Sequence, residues 1–167
     1  MGGSMSRSKG QRGEREVIKL LQPIINKAYE EAIAAGIVDG NRELPVLERN
    51  LMQTAKGGFD IVGLKWLALE VKYQETDHLN QWWEQTLEQA KGRSVPSSDG
   101  PKIVGARIPI LIYRKNNVKW NVMMYGSLLL SPGDKKTSVR APVIVPLDTF
   151  LTWFYHKIRL ELGFDYI

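Results

Sequence analysis

The order of patterned segments predicts an α/β domain with a central mixed β-sheet flanked by helices. Three observations carry this expectation. A long helical periodicity opens the chain, short apolar runs with two-residue alternation follow, and a helix, two paired strands and a last helix complete the order. With 167 residues, 43% hydrophobic and 25% charged, the composition is globular and the length suits one domain with a sizeable core.

The opening MGGS reads as a tag remnant and MSRSK (5–9) as a frayed polar lead-in. Residues 1–8 are therefore expected to be flexible, and 9–167 to form a single domain. From Gly10 to Ala35 apolar residues recur at three- and four-residue steps: Val17, Ile18, Leu20, Leu21, Ile24 and Ile25. Pro23 is expected to end or kink this helix, with NKAYEEAIAAG resuming it up to Gly36. Residues 26–45, after the first helix, form a long segment of unassigned role. PVLERNLMQ (45–53) reads as a strand, and after a glycine turn FDIVGL and WLALEVKY read as a hairpin or meander.

HLNQWWEQTLEQAK (78–91) is helical, with Gly92 as its stop. GRSVPSSDGPK reads as a loop by composition. RIPILIYRKN and VKWNVMMYG are strands joined through Asn116–Asn117, SPGDKKTSVRAP is a second loop, and LDTFLTWFYHKIRLELG is the final helix, capped by Asp148 or Thr149. Trp82 and Trp83, adjacent on one helix, are not expected to face the core together. Trp153, Phe154 and Tyr155 are expected to pack the last helix.

Several chemistries are excluded at once. The chain has no cysteine, so disulfides, thiolate metal sites and cysteine nucleophiles are absent. Its two histidines, His78 and His156, are too few for a multi-histidine metal site or a histidine relay, and both read as structural or exposed. Catalysis would have to use carboxylates, lysine, hydroxyls or an oxygen-held metal. The longest apolar runs, IPILIY and YGSLLL, fall far short of a membrane span, and no signal peptide is visible, so a cytoplasmic location is expected. A net charge of +5 points to an anionic partner.

Charges interrupt the most core-like stretch, GFDIVGLKWLALEVKYQ (58–74). Strand alternation puts Trp66, Ala68, Glu70 and Lys72 on one face and Leu67, Leu69, Val71 and Tyr73 on the other. Asp60 could lie opposite Glu70 if the two runs pair. Buried carboxylates need compensation, and a divalent cation with oxygen ligands, magnesium or manganese, would supply it. The plainer alternative is a strand-end salt bridge on a solvated face. Glu14 precedes Val17, Ile18 and Leu21 on the inward stripe of the first helix, where a dipole-favoured N-terminal charge is the competing account. Arg12, Arg15 and Lys19 fall on a more exposed face. Loop basic residues, among them Lys91, Arg93, Lys102, Lys135 and Arg140, could follow a phosphate backbone.

A helix with an inward Glu, then F-D-I, then a strand ending E-V-K, then a helix with Gln and Trp resembles the PD-(D/E)XK nuclease superfamily. KGQRGEREVIKLL (9–21) is similar to the N-terminal motif of archaeal-type Holliday-junction resolvases, and the Asp60–Glu70 spacing resembles that of phage junction-resolving endonucleases. The resemblance covers about residues 9–91 and departs from the family in having Phe59 where a Pro precedes the Asp. It implies a restriction-endonuclease-like core and Mg2+- or Mn2+-dependent DNA cleavage. Asp60, Glu70, Glu14 and the Val71 carbonyl would hold the metal. Lys72 would orient water or stabilise charge, and Gln81 or Gln85 would join the catalytic set. Arg7, Lys9, Arg12, Arg15, Lys56 and Arg93 would contact DNA. A branched, four-way junction substrate and a homodimer are implied. Other nucleases of the same core, or an inactive DNA-binding module, are the alternatives.

Overall fold

The computed structural model describes residues 3–51, 59–76, 78–130 and 141–165. The elements run α1 (Gly3–Ala34), β1 (Glu48–Arg49), β2 (Ile61–Val62), β3 (Leu67–Tyr73), α2 (Leu79–Ala90), β4 (Arg93–Val95), β5 (Lys102–Val104), β6 (Ile108–Arg114), β7 (Asn121–Tyr125), α3 (Ser127–Leu130), β8 (Pro142–Pro146) and α4 (Leu147–Leu162). Six strands make one mixed sheet in the order β1-β2-β3-β6-β7-β8, and β4 pairs only with β5. The β3–β6 pairing is parallel; the other pairings of the large sheet are antiparallel. This is the mixed-sheet α/β architecture of a restriction-endonuclease-like core.

Two faces of the sheet are covered differently. On one, Val17, Leu21, Ile25, Ala28 and Ala32 of α1 meet Leu67, Leu69, Val71, Ile110, Ile112, Val122 and Met124, with Phe150, Trp153, Phe154 and Ile158 of α4 closing the layer. On the other, α2 lays Trp82 and Trp83 on Leu111, Tyr113 and Met123. Both tryptophans are buried, contrary to the expectation that one would be left outside. The helix axis runs so that Trp82 packs near Tyr113 (6.2 Å between centroids) and Trp83 meets Tyr125 edge-on (5.5 Å).

The first helix departs from the sequence reading at both its start and its middle. It is already formed from Gly3, so residues 5–9 belong to the helix rather than to a frayed lead-in. Pro23 lies inside it without ending it. Leu21 and Ile25, on either side, are fully buried, and this packing outweighs the one backbone bond that proline cannot make. Much of the 26–45 insertion is thus the continuation of α1, which packs on α4. Glu31 accepts hydrogen bonds from the Tyr155 hydroxyl and the Arg159 guanidinium at that contact.

Four further elements went unpredicted. GRSVPSSDGPK contains β4 and contributes the start of β5. α3 and β8 flank residues 131–140, which lie outside the described residues. The strand expected over 45–53 is confined to Glu48–Arg49, with 52 and 53 outside the described residues. At the last helix, Pro146 occupies the N-cap position, Asp148 sits in the first turn, and Gly163 caps the C-terminus at φ 104°. Among the described residues, no helix is long and apolar enough to cross a membrane.

Candidate active site

The hairpin that places the charges is short and tightly held. Ile61 pairs with Leu69, and the Asp60 N–H donates to the Leu69 carbonyl at 3.0 Å. The Asn50 side chain donates to the Phe59 carbonyl at 3.0 Å, and the Asn50 N–H donates to that of Asp60 at 2.8 Å. Ile61 points into the apolar layer, so its neighbour Asp60 faces the opposite way. Its Oδ2 accepts the Val71 N–H at 2.8 Å, which locks the aspartate against the strand bearing Glu70 and Lys72.

Alternation sorts Leu67 to Lys72 as expected, but Trp66, expected on the face of Glu70, packs instead on Trp153 and Phe154 in the layer under α1 and α4, because it precedes the paired strand. Leu67, Leu69 and Val71 enter the layer under α1, whereas Ala68, Glu70 and Lys72 face the side of α2. Asp60 is 6% exposed and Glu70 2%. Lys72 Nζ stands 2.9 Å from Glu70 Oε1, while Glu70 Oε2 is buried without a hydrogen-bond partner. A sheet with a solvated face would leave these groups wet, so the plain surface salt bridge does not describe them.

Electrostatics follow from this geometry. Burial, then the Asp60 charge, push the Glu70 carboxyl up to about 7, against the opposing pull of Lys72 and of a hydrogen bond from Gln89. Glu14 is also raised, by burial and then by Asp60, with Arg49 opposing. The Arg49 guanidinium on β1 is ion-paired with Glu14 Oε2. Glu14 is thus an inward carboxylate within electrostatic reach of Asp60, as its helical position predicts, but it is engaged by an arginine the sequence did not single out.

Gln81 and Gln85 face away from the buried side of α2. Both are exposed, because Trp82, Trp83, Thr86 and Ala90 define the buried side of α2. The glutamine that meets Glu70 is Gln89, one turn beyond Gln85, and its Oε1 is buried without a partner. Its spacing of three from Thr86 and seven from Trp82 is the helical signal that identifies it.

Of the expected DNA contacts, Arg7, Arg12 and Arg15 are exposed along α1, and Arg93 is exposed on β4. Arg12 pairs with Glu16 at 3.3 Å. Lys9 is partly covered, lying 3.6 Å from Glu75 and 4.9 Å from the Tyr73 ring centroid. Lys56 lies outside the described residues. Phe59, in the place of the family's proline, carries the Arg107 guanidinium 4.5 Å from its ring centroid.

Among the described residues, no group of three or more acidic, histidine or cysteine side chains is gathered closely enough to hold a metal ion. The two central carboxylates nonetheless fit a hard cation. They are oxygen donors, they repel each other, and one buried oxygen lacks a partner. The third carboxylate, Glu14, is turned to Arg49.

A family model described as "Phage putative PDDEXK endonuclease" matches residues 5–146, from α1 to the end of β8. No curated protein and no solved structure matches the chain. The matched span holds Glu14, Asp60, Glu70, Lys72 and Gln89, on the hairpin and helices just described. By that match the chain belongs to the phage PDDEXK endonuclease family, a family of PD-(D/E)XK-type nucleases.

Proposed function

We propose that this protein is a Mg2+- or Mn2+-dependent DNA endonuclease that cuts branched DNA, with the four-way Holliday junction as its preferred substrate. The observation that carries the reading is the buried meeting of Asp60, Glu70 and Lys72 on adjoining strands, with one Glu70 oxygen unpartnered. Asp60 and Glu70 would hold the cation, helped by the Val71 carbonyl and, once released from Arg49, by Glu14. When bound, the cation supplies charge neutralisation at the phosphate and a water of lowered pKa.

The chain's own groups do the rest. Lys72 keeps a fixed positive charge where the non-bridging oxygens gain negative charge in the transition state. Gln89 holds the Glu70 carboxylate in place from α2. The exposed arginines of α1 contact the phosphate backbone. No base-reading element is present in the sequence pattern, so selectivity rests on DNA shape. A junction needs two symmetrical cuts, which a homodimer with two sites provides, and the expected setting is the cytoplasm of a microbial or phage-infected cell.

Purified protein with Mg2+ or Mn2+ is to be compared on a four-way junction, a fork and a linear duplex. Paired symmetrical nicks across the junction, lost in Asp60→Asn, are expected. Cutting at ends alone overturns the resolvase reading and leaves another nuclease of this core. Binding without any cleavage overturns the enzyme reading and leaves a DNA-binding module.

A further inference from the structure

The segment between α2 and β6 folds into a two-stranded hairpin that joins neither the six-stranded sheet nor the apolar layers. Three residue pairs hold it: Arg93 with Val104, Ser94 with Ile103, and Val95 with Lys102. An isolated hairpin of this size is marginal in water, so its position depends on its root. There the Arg107 N–H donates to the Ala90 carbonyl at 2.9 Å. The Arg107 guanidinium donates to the Leu64 and Leu67 carbonyls at 3.0 and 3.2 Å, on the turn between Asp60 and Glu70. Gly92 packs so closely on the returning strand that an added Cβ would lie 2.5 Å from the Val104 carbonyl oxygen. The hairpin is therefore fastened beside the catalytic turn, with its Gly92 three residues after Gln89.

Its charge is uneven. Residues 91–107 contain four basic side chains and one acidic, a net +3 in a chain whose whole net charge is +5. Opposed residues of an antiparallel pair share a face, so Arg93, Val95, Lys102 and Val104 form one face, and Ser94 and Ile103 the other. Arg93 and Lys102 are diagonal neighbours on that face, about 7–8 Å apart at the backbone, a separation suited to adjacent phosphates of one strand. Both are exposed, and neither has an acidic partner among the described residues. Ile103 turns instead to a cavity of about 570 Å³ that includes Leu87, Tyr125 and Leu128, which places the hairpin on the α2 side of the sheet. The basic strip of α1 lies on the other side.

We infer that the β4–β5 hairpin is a second phosphate-contacting arm, with Arg93 and Lys102 gripping a DNA arm that the α1 strip does not reach. The inference rests on the branched-DNA reading above. Two positive surfaces on elements that pack against opposite faces of the sheet suit DNA whose arms diverge, and a single straight duplex engages them less well.

The test measures binding in a Glu70→Gln background with Mg2+ absent, so that cleavage plays no part. R93E/K102E should weaken binding to a four-way junction by about tenfold or more and flatten the dependence of log affinity on log salt by about 2. Binding to a linear duplex of equal length should fall less. Unchanged junction affinity and salt slope overturn the inference while leaving the nuclease reading intact; equal losses on both DNAs overturn the arm-specific role. A parent protein that binds neither DNA overturns both readings. Should R93E/K102E melt earlier than its parent by circular dichroism, the neutral R93Q/K102Q supplies the same comparison, with a smaller expected change in slope.

Discussion

The two faces of β3 make opposite use of the same backbone. Towards α1, Leu67, Leu69 and Val71 are buried among apolar neighbours, and their burial stabilises the fold. Towards α2, Glu70 is buried as deeply, beside Asp60 and Lys72, where burial of charge opposes folding. The contrast teaches that one strand can be both the centre of the core and the centre of the proposed chemistry, provided the first face compensates for the second.

The sharpest way to break the comparison is on the apolar face. Leu69→Ala is expected to cost about 3–5 kcal/mol in urea unfolding, since Leu69 is fully buried and its neighbours come from both α1 and the sheet. A loss below 1 kcal/mol by the same measurement would mean that the layer is not packed as described.

The charged face should respond to pH in the opposite sense from an ordinary paired carboxylate. Glu70 has a folded pKa of about 7 against an ordinary value of 4.5, so the folded state holds its proton over that window and the unfolded state does not. Stability of the cation-free protein should therefore fall as pH rises from about 4.5 to about 7, by on the order of 1–3 kcal/mol. Thermal melts across that range should show the fall, and Mg2+ at pH 8 should reverse part of it. A profile that rises instead would contradict the burial of Glu70.

Glu70→Gln separates the two faces directly. Removal of the buried charge should stabilise the cation-free protein by about 1–2 kcal/mol at pH 8. Cleavage of a four-way junction should drop by about a hundredfold or more. Stability and activity moving together would show that Glu70 belongs to the core rather than to the site.

The smallest expected effect refines the charged face. Gln89→Ala should slow cleavage by about tenfold with DNA affinity unchanged, whereas Gln81→Ala on the exposed side of α2 should have less effect. Equal effects would remove Gln89 from its positioning role.

Much of this was legible in the residues. Alternation through LALEVKY assigned Glu70 and Lys72 to one face, and helical spacing turned Glu14 inward, because both periodicities depend only on local geometry. What escaped required knowledge of neighbours. Gln89 meets Glu70 because α2 lies across β3 at one rotation, and the tryptophan pair that sets this rotation finds Tyr113 and Tyr125 only in three dimensions. Arg49 approaches Glu14 from a two-residue strand too short to pattern. β8, bounded by Pro142 and Pro146, is assigned no element from the sequence, although an edge strand tolerates proline at its ends. The β4–β5 hairpin was hidden by Ser, Pro and Gly in its connection.

The parallel pairing of β3 with β6 has a consequence for how the molecule comes into being. All seven residues of β3 find their partners on a strand that begins only at Ile108, after α2 and the hairpin have been traversed. Closing so long a span is slow compared with local turns and helices. Asp60 and the carboxylate of β3 can approach early, but the wall that buries Glu70 is completed only with β6. A chain emerging during synthesis therefore carries these charged groups for some time without the enclosure that β6 provides.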